Sequence, residues 1–373
     1  MQARAALLNE PDQPFTIAPV EIDTPEPDEI LVRIAAVGIC HTDMIFATGA
    51  MGNAFPLILG HEGAGTVEAI GSEVTKAAPG DKVLLTFASC GHCRQCASHN
   101  PAYCDEFTAL NFAAVRADGT SPVHAGGRQV SARFFGQSSF SSHAIANERN
   151  IVVLPGDADL AALAPLGCGI QTGVGGVLRS LGAEPGSTLV VMGGGAVGLS
   201  AVLGGVLADC ATIILIEPRA GRRELGLALG AHHVIDPGVA DTAAAVRALV
   251  PSGVNYVFDT SGSTAALAAA IGMLAPRGTL GMVGIPGALD AVLPLPIVAA
   301  ITYGFTVRGI IEGDSDPGVF LPELVALFRK GRLPYDRFVR YYPFEQINRA
   351  FQDSRSGACV KAVLLLDAAA STS

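Results

Sequence analysis

Residues 188–198 read Thr-Leu-Val-Val-Met-Gly-Gly-Gly-Ala-Val-Gly, and this stretch decides the fold. Its first half is a short apolar run with β-branched residues, which predicts a buried strand over Leu189–Met192. Its second half carries Gly193, Gly195 and Gly198, at the spacing of a tight turn that leads from a strand into a helix. The stretch therefore predicts one strand–turn–helix unit of a parallel sheet.

The glycine turn also predicts a dinucleotide site. Together with Val197, the three glycines let a pyrophosphate approach the backbone and the N-terminus of the next helix. Nineteen residues beyond Gly198, Glu217 closes the next predicted strand, where its carboxylate can hold the adenosine ribose hydroxyls. The negative charge of this carboxylate repels a 2′-phosphate and so favours NAD over NADP. NADP stays open as an alternative because three arginines follow that fit either a phosphate site or a solvated helix face: Arg219, Arg222 and Arg223.

Strand and helix patterns alternate along the chain from about Leu160. Predicted strands cover Leu189–Met192, Ile213–Glu217, His233–Ile235, Tyr256–Thr260 and Thr279–Val283. Predicted helices between them include Ala220–Leu229 and Thr242–Leu249. Such alternation is typical of a doubly wound parallel sheet with crossover helices, the α/β arrangement of the Rossmann fold.

The flanking parts of the chain have a different texture. Short β-like runs separated by glycine and proline recur in roughly the first 150 residues, including Glu29–Val37, Gly65–Ile70 and Asp81–Thr86. After about Phe305, a helix over Leu321–Lys330 and a last strand over Lys361–Leu366 are predicted. A chain of 373 residues exceeds one typical core, so we expect an α/β domain inserted in a β-rich domain.

Composition and charge exclude several classes of protein. The chain is 50% apolar and 16% charged, which is typical of a folded protein. A net charge of −10 and the absence of tryptophan argue against nucleic-acid binding. The 21 uncharged residues from Thr188 to Ala208 are long enough to span a membrane, but the glycine turn within them favours a strand, a turn and a helix. We expect no membrane association and no export signal, and hence a cytoplasmic protein.

Four of the eight cysteines lie within fifteen residues, at Cys90, Cys93, Cys96 and Cys104. Four thiolates on one short loop are typical of a structural zinc site that is closed to water. The rival interpretations are an iron–sulfur cluster and thiols without a metal. The bacterial cluster signature places its fourth cysteine after three residues and before a proline, whereas Cys104 follows after seven and precedes Asp105. The spacing therefore favours zinc.

Three further candidate ligands, Cys40, His61 and Cys168, stand far apart in the sequence. Two thiolates and one imidazole would leave a fourth zinc position open for water or substrate, as a catalytic zinc requires. The residues alone do not join these three. A cysteine beside a strand is more often a small core residue, and a lone histidine is more often hydrogen-bonded in the core.

These motifs follow one another in the order of a known family. The runs Gly38-Ile-Cys-His-Thr-Asp43 and Gly60-His-Glu-Gly-Ala-Gly65, with the four cysteines and the glycine turn, resemble the zinc-dependent medium-chain alcohol dehydrogenases over nearly the whole chain. Three narrower runs resemble the bacterial benzyl (aryl) alcohol and geraniol dehydrogenase branch: Phe134–Phe140, Pro165–Gly173 and Ile311–Pro317.

The resemblance implies a division of the chain and a set of metal ligands. A GroES-like catalytic domain would cover 1–169 and 308–373, with a structural zinc lobe at about 88–106, and a Rossmann NAD-binding domain would cover 170–307. Cys40, His61 and Cys168 would hold a catalytic zinc, which makes two zinc ions per chain.

The resemblance also implies roles for residues beside the metal. Asp43 would orient His61, and Thr42 would bond to the alcohol and pass its proton towards the nicotinamide ribose. Glu62 would lie close behind the zinc. His41 and Lys361 would lie near the cofactor phosphates.

One position departs from the family pattern. Many members carry a histidine three residues after the relay hydroxyl, where this chain has Ile45. The proton must then leave by another route, so we expect this side of the site to be drier.

The resemblance implies a small-molecule substrate, a primary aromatic or allylic alcohol and its aldehyde. Side chains expected to line an apolar substrate cleft are Ile45, Phe46, Phe87 and Phe112. Alternatives are a glutathione-linked formaldehyde dehydrogenase, a polyol dehydrogenase, a zinc-free enone reductase of the same superfamily and a non-enzymatic zinc- and nucleotide-binding redox sensor. A homodimer or homotetramer joined through sheet edges of the cofactor domain is also expected.

Overall fold

A computed structural model describes residues 1–288 and 290–366. Its strands are β1 (Gln2–Leu7), β2 (Thr16–Ile22), β3 (Glu29–Gly38), β4 (Glu62–Ile70), β5 (Lys82–Leu85), β6 (Val123–Ala125), β7 (Arg128–Gln129), β8 (His143–Asn147), β9 (Ile151–Val153), β10 (Thr188–Met192), β11 (Thr212–Ile216), β12 (His233–Ile235), β13 (Val254–Asp259), β14 (Leu274–Met282), β15 (Thr306–Gly309), β16 (Val339–Pro343) and β17 (Lys361–Leu365). Its α-helices are α1 (His41–Ala47), α2 (Arg94–Ala97), α3 (Phe107–Phe112), α4 (Leu160–Leu163), α5 (Gly169–Gly175), α6 (Ala196–Leu207), α7 (Ala220–Ala228), α8 (Thr242–Leu249), α9 (Thr264–Met273), α10 (Ile297–Tyr303), α11 (Pro317–Arg329) and α12 (Ile347–Ser356).

The chain divides into two compact units. The first comprises 1–168, 316–326 and 336–373, and the second comprises 169–315 and 327–335. The second unit therefore lies as an insertion within the first along the chain. This agrees with the predicted fold class, an α/β unit inserted in a β-rich one.

The second unit contains a six-stranded sheet in the order β12-β11-β10-β13-β14-β15. Every neighbouring pair in it is parallel. This is the doubly wound order of the Rossmann fold, in which the strand order reverses between β10 and β13. Ligands of such sheets bind at this reversal, beyond the carboxyl ends of the strands. The glycine turn directly follows β10 and so lies at that position.

The central strands of this sheet explain the apolar stretch that resembled a membrane span. Leu189, Val190 and Val191 of β10 are all fully buried, as expected for a strand covered on both faces. Among residues 1–288 and 290–366, no single helix is long and apolar enough to cross a membrane. Only the bent pair Leu160–Gly167 and Gly169–Ser180 passes that test together, by length and composition alone.

The first unit contains two largely antiparallel sheets. One has the order β1-β2-β6-β7, and the other has the order β16-β17-β3-β4-β5-β9, with β8 also paired to β3. In the larger sheet, β16 and β17 are the parallel pair. Strand β3 lies at its centre and leads directly into Cys40, and His61 immediately precedes β4. The sheet thus brings two of the candidate ligands to neighbouring strand ends.

A buried charge cluster holds β3 to two loops of the first unit. Glu29 accepts hydrogen bonds from Arg116 at 2.8 and 3.0 Å and from Arg133 at 3.2 Å. Burial alone would raise the pKa of Glu29, but the hydrogen bond from Arg116 and the charge of Arg133 outweigh it, and the pKa is lowered. Arg133 directly precedes Phe134, so this cluster anchors a segment of the candidate site.

Replacing Glu29 with glutamine is expected to lower the free energy of unfolding by about 3–5 kcal/mol at pH 7, because two arginines would lose their buried counter-charge. Since the native pKa lies below the ordinary value of 4.5, this stabilisation is present above pH 4.5 and is lost as the pH falls through the lowered native value. Urea unfolding at several pH values measures it. The control, Glu68→Gln, removes an exposed carboxylate that pairs with Arg33 and His143, and it should cost less than about 1 kcal/mol. Equal losses in both variants would contradict the prediction.

Candidate active site

The structure brings together three candidate ligands that are distant in sequence. Cys40 lies at the N-terminus of α1, His61 lies before β4, and Cys168 lies before α5. One ligand atom from each of these, and one carboxylate oxygen of Glu62, all lie within 4.8 Å of one another. His61 and Cys168 are buried, whereas Cys40 is half-buried.

The His61 ring is oriented by Asp43. Its Nδ1 lies 3.0 Å from Asp43 Oδ1, which also accepts a hydrogen bond from the Gly60 amide at 3.0 Å. The second Asp43 oxygen accepts from the Cys40 amide at 2.9 Å and so closes the first turn of α1. Asp43 therefore fixes two of the three ligand segments at once, as carboxylates behind metal-binding histidines do.

The remaining nitrogen of the ring tests whether this group suits a metal. Nε2 of His61 is buried and has no hydrogen-bond partner among the described residues. The neighbouring Cys168 thiol, together with the charges of His61 and Lys361, lowers the pKa of Cys40 well below its usual value. This favours the thiolate, the form that binds metal. Two sulfurs, one imidazole nitrogen and an incomplete shell are the donor set of a catalytic zinc.

Thr42, Glu62 and Lys361 lie beside the three ligands. The Thr42 hydroxyl is 3.7 Å from Cys40 Sγ, and the carboxylate of Glu62 is paired with Lys361. The Lys361 side chain is only 1% exposed, and its ammonium donates to the Ile39 carbonyl at 3.0 Å. It is therefore directed at Glu62 within the first unit, and contact with a cofactor phosphate stays a prediction.

The four clustered cysteines form a second donor group. Their sulfurs lie within 4.8 Å of one another. Backbone amides of Cys90, Cys93 and Cys96 donate to sulfurs of the same group at 3.3–3.5 Å. Hydrogen bonds lower the pKa of Cys93 to about 6, and the largest effect comes from the backbone amide of Asp105. Four sulfurs on one loop, with backbone donors that stabilise thiolates, fit a closed zinc site.

The glycine turn forms the cradle that a pyrophosphate needs. Gly193 has φ +98°, and a Cβ at Gly198 would overlap the Gly193 carbonyl, so both positions require glycine. At Gly195, which caps α6, a Cβ would meet nothing within 4 Å. That space lies over the helix N-terminus, where backbone amides can receive an anion. Val197 lies in the first turn of α6.

Glu217 lies at the end of β11, beside the turn. Its carboxylate accepts hydrogen bonds from the amides of Gly194 at 2.6 Å and Arg219 at 2.9 Å. Arg223 donates to the carbonyls of Glu217 and Pro218 and pairs with Asp236 at 2.9 Å. Arg223 is thus already engaged, which leaves it poorly suited to a 2′-phosphate. The arrangement fits NAD.

An aromatic cluster surrounds His61. The expected residues Phe46 and Phe112 contact each other with ring centroids 5.1 Å apart, and Phe87 joins them through Phe107. Ile45 is half-buried on α1, and His41 at its start is exposed. Ring contacts connect the cluster to His61 through two residues that the sequence reasoning had not assigned: Phe134 at 5.5 Å and Phe135, stacked at 4.3 Å.

A signal for these two phenylalanines was present in the sequence. Both belong to the run Phe134–Phe140, which was recognised for its resemblance to one enzyme branch. What this run contributes to the site depends on its backbone turn, in which Phe135 and Ser138 have φ near +50° and Gly136 has φ +65°. Such a turn is not visible in a pattern of apolar residues.

The chain is similar to known proteins over nearly its whole length. Residues 26–156 match the alcohol dehydrogenase GroES-like domain, and residues 196–328 match the zinc-binding dehydrogenase domain. The chain is 44% identical over 98% of both lengths to a geraniol dehydrogenase of Castellaniella defragrans. An alcohol dehydrogenase zinc-binding domain protein from Burkholderia ambifaria has TM-score 0.96 at 44% identity over 98% of this chain and 99% of its own. Benzyl alcohol dehydrogenase from Acinetobacter calcoaceticus has TM-score 0.95 at 37% identity over 98% and 100%.

The chain belongs to the family of zinc-dependent medium-chain alcohol dehydrogenases. Within it, these relatives place the chain in the branch of the benzyl alcohol and geraniol dehydrogenases. It is an oxidoreductase that uses zinc and NAD and interconverts small alcohols and aldehydes. The relatives give no support to a formaldehyde, polyol or enone-reducing activity, or to a redox sensor.

Proposed function

We propose that the substrate is a primary aromatic or allylic alcohol, and that it reacts beside Cys40, His61 and Cys168. The observation that carries this proposal is the aromatic cluster on His61. Phe134 and Phe135 cover the imidazole with apolar ring surface, and Phe46 and Phe112 extend that surface. Phe46, Phe134 and Phe135 are buried, so the half-buried ring of Phe112 is the one that a flat unsaturated substrate can contact. A polyol there would lose hydrogen bonds to water without replacement. The names of the geraniol and benzyl alcohol dehydrogenase relatives support the same substrate class.

Each residue then has a defined task. Cys40, His61 and Cys168 hold the zinc, which when bound acts as a Lewis acid that makes the alcohol hydroxyl acidic. Thr42 would hydrogen-bond to that hydroxyl and relay its proton, releasing its own hydroxyl proton towards the nicotinamide ribose. Asp43 holds the His61 ring in place through Nδ1.

The cofactor is held by the second unit. The turn of Gly193, Gly195 and Gly198, with Val197 behind it, and the carboxylate of Glu217 would hold the NAD, which would supply the hydride acceptor for the reaction. Cys90, Cys93, Cys96 and Cys104 hold the structural zinc. Glu62 and Lys361 form a buried pair behind the catalytic group. We assign the catalytic domain to 1–169 and 308–373 and the NAD domain to 170–307.

A panel of alcohols with NAD tests the substrate class. We expect kcat/KM for benzyl alcohol and geraniol to exceed that for ethanol or sorbitol by about 100-fold, since burying a six-carbon apolar group contributes a few kcal/mol. Phe112→Ala should lower kcat/KM for benzyl alcohol about 10-fold and leave kcat/KM for ethanol unchanged. The control Phe328→Leu alters a ring pair with Tyr335 in the second unit and should change neither. Preference for sorbitol or ethanol would refute the substrate class.

We also propose a cytoplasmic homodimer or homotetramer. Six of the eight free cysteines lie in the two candidate metal-binding groups, and this usage suits a reducing compartment. Helix α10 has no buried residue, and Val298 and Ile301 on it are 77% and 78% exposed. Strand β15, at the end of the parallel sheet, lies close by in the sequence. An apolar helix face beside an open sheet edge favours association with a second copy.

Placing charges on α10 tests this interface. The double variant Val298→Asp/Ile301→Asp is expected to shift the protein to a monomer, because two carboxylates would be buried without partners. Light scattering after size exclusion measures the mass. Val239→Asp, a change at an equally exposed residue of the same unit, should leave the mass unchanged. A wild-type monomer, or an oligomer that survives the double substitution, would contradict the proposal.

A further inference from the structure

The segment that carries Phe134 and Phe135 also binds the backbone that leads to His61. Each of four consecutive carbonyls accepts one hydrogen bond from residues 137–140: Ile58 O from Ser138 Oγ (2.6 Å), Leu59 O from the Phe140 amide (2.9 Å), Gly60 O from the Ser139 amide (2.8 Å) and His61 O from Gln137 Nε2 (2.9 Å). The backbone of residues 58–61, which ends in the candidate ligand His61, is thus hydrogen-bonded at each of its four carbonyls. Only one of these four donors, the Gln137 amide, belongs to a side chain that also reaches other segments.

The side-chain amide of Gln137 is fully used. Besides the His61 carbonyl, its Nε2 donates to the Thr86 carbonyl at 3.1 Å. Its Oε1 accepts from the Gly63 amide at 3.1 Å and from the Ser139 hydroxyl at 2.6 Å. These four bonds equal the full capacity of a glutamine amide, and the residue is 1% exposed. A buried amide with every bond satisfied holds its partners in one arrangement.

Thr86 extends this connection to the third ligand. Its hydroxyl donates to the Gly167 carbonyl at 2.8 Å, and Gly167 directly precedes Cys168. One continuous chain of hydrogen bonds therefore runs from the His61 backbone through Gln137 and Thr86 to the Cys168 backbone. Asp43 ties Cys40 to His61. Gln137, through Thr86, ties the His61 segment to the Cys168 segment.

We propose that Gln137 is a positioning residue that sets the spacing of His61 and Cys168 for zinc. The proposal rests on the ligand set assigned under Proposed function. Groups that hold metal ligands from behind typically change metal affinity by about 10- to 100-fold when they are removed. Gln137 acts on the peptides of two ligands rather than on their side chains. Its loss should therefore loosen the catalytic group and leave the four-cysteine group intact.

Zinc release from the loaded protein tests this role without measuring activity. Gln137→Met keeps the length of the side chain and removes all four hydrogen bonds. After addition of a chelator, native mass spectrometry counts zinc per chain, and peptide mapping follows alkylation of Cys40 and of Cys104. We expect one zinc to leave about 10- to 100-fold faster than in the wild type, with Cys40 alkylated in step and Cys104 protected.

Thr86→Val decides the question if Gln137→Met does not fold. This change removes one hydroxyl and the link to Gly167, and it should speed release of the same zinc, by about 10-fold. The control Asn111→Leu removes an equally buried amide, which bonds to Ala88 and Phe107 and to neither catalytic segment. It should not speed Cys40 alkylation.

The outcomes separate the two proposals. Unchanged release in Gln137→Met, or in Thr86→Val where the first does not fold, overturns the role of Gln137. Equal acceleration by Asn111→Leu overturns it as well, because the effect would be general loosening. Rapid alkylation of Cys40 in a wild-type protein that retains two zinc ions would instead refute the ligand set itself.

Discussion

Replacing Cys40 with serine is expected to reduce turnover of benzyl alcohol by about 10³- to 10⁴-fold, while one zinc per chain stays bound. The reason is the loss of one of three ligands from a site whose metal supplies several kcal/mol to the transition state. The four-cysteine group does not include Cys40 and should keep its zinc. Steady-state kinetics and zinc analysis of the same preparation measure both effects.

A buried cysteine outside the site provides the control for this variant. Cys210→Ser alters a thiol in the second unit that lies near Ser187 and outside both donor groups. It should retain two zinc ions and nearly full activity. If Cys40→Ser keeps more than a tenth of wild-type turnover, Cys40 does not hold a catalytic metal.

Replacing Gly195 with valine is expected to raise the Kd for NAD by about 100-fold, while the stability of the free protein stays nearly unchanged. The backbone there is extended, with φ −75° and ψ −176°, and a Cβ meets nothing within 4 Å, so valine fits the free protein. Its methyl groups would occupy the space over the N-terminus of α6. The pyrophosphate would then lose charge-assisted hydrogen bonds to the backbone, each of which contributes about 1.5–3 kcal/mol.

Calorimetric titration with NAD and thermal unfolding distinguish this effect from misfolding. Gly156→Val, at another position with open space around the Cβ but in the first unit, should leave NAD binding unchanged. A Gly195→Val protein that binds NAD as tightly as the wild type would show that the pyrophosphate does not lie on this turn. A large fall in melting temperature would show instead that Gly195 is needed for the fold.

The parallel sheet could be predicted because local pattern and burial agree there. Strand β12 and helix α8 have the predicted bounds, and β10 and β11 begin one residue before theirs. Buried strands of a parallel sheet are continuous apolar runs, and the glycine turn marks where one ends. The same reasoning explains why Glu217 was found at the end of β11.

Other boundaries were missed where glycine or proline lies inside an element. Strand β4 begins at Glu62 rather than Gly65, so Gly65 lies within the strand. Glycine is needed there because a Cβ would collide with the Arg33 carbonyl of β3. Strand β14 begins at Leu274 rather than Thr279, with a register irregularity opposite Val254. Helix α11 begins at Pro317 rather than Leu321, since proline is tolerated in a first turn.

The two metal groups differ in how far the sequence predicts them. The spacing of four cysteines on one loop predicts a zinc site. Cys40, His61 and Cys168 are brought together by tertiary structure, including the pairing of β3 with β4, so their association required a resemblance or a structure. The contacts of Lys361 and Gln137 arise from the same tertiary pairing and leave no local pattern.

Anomalous diffraction at the zinc edge, from crystals of the zinc-loaded protein, tests the central claim most directly. We expect two peaks per chain, one among Cys90, Cys93, Cys96 and Cys104 and one among Cys40, His61 and Cys168. A single peak at the four cysteines, or a second peak away from the other three residues, would contradict the assigned catalytic site.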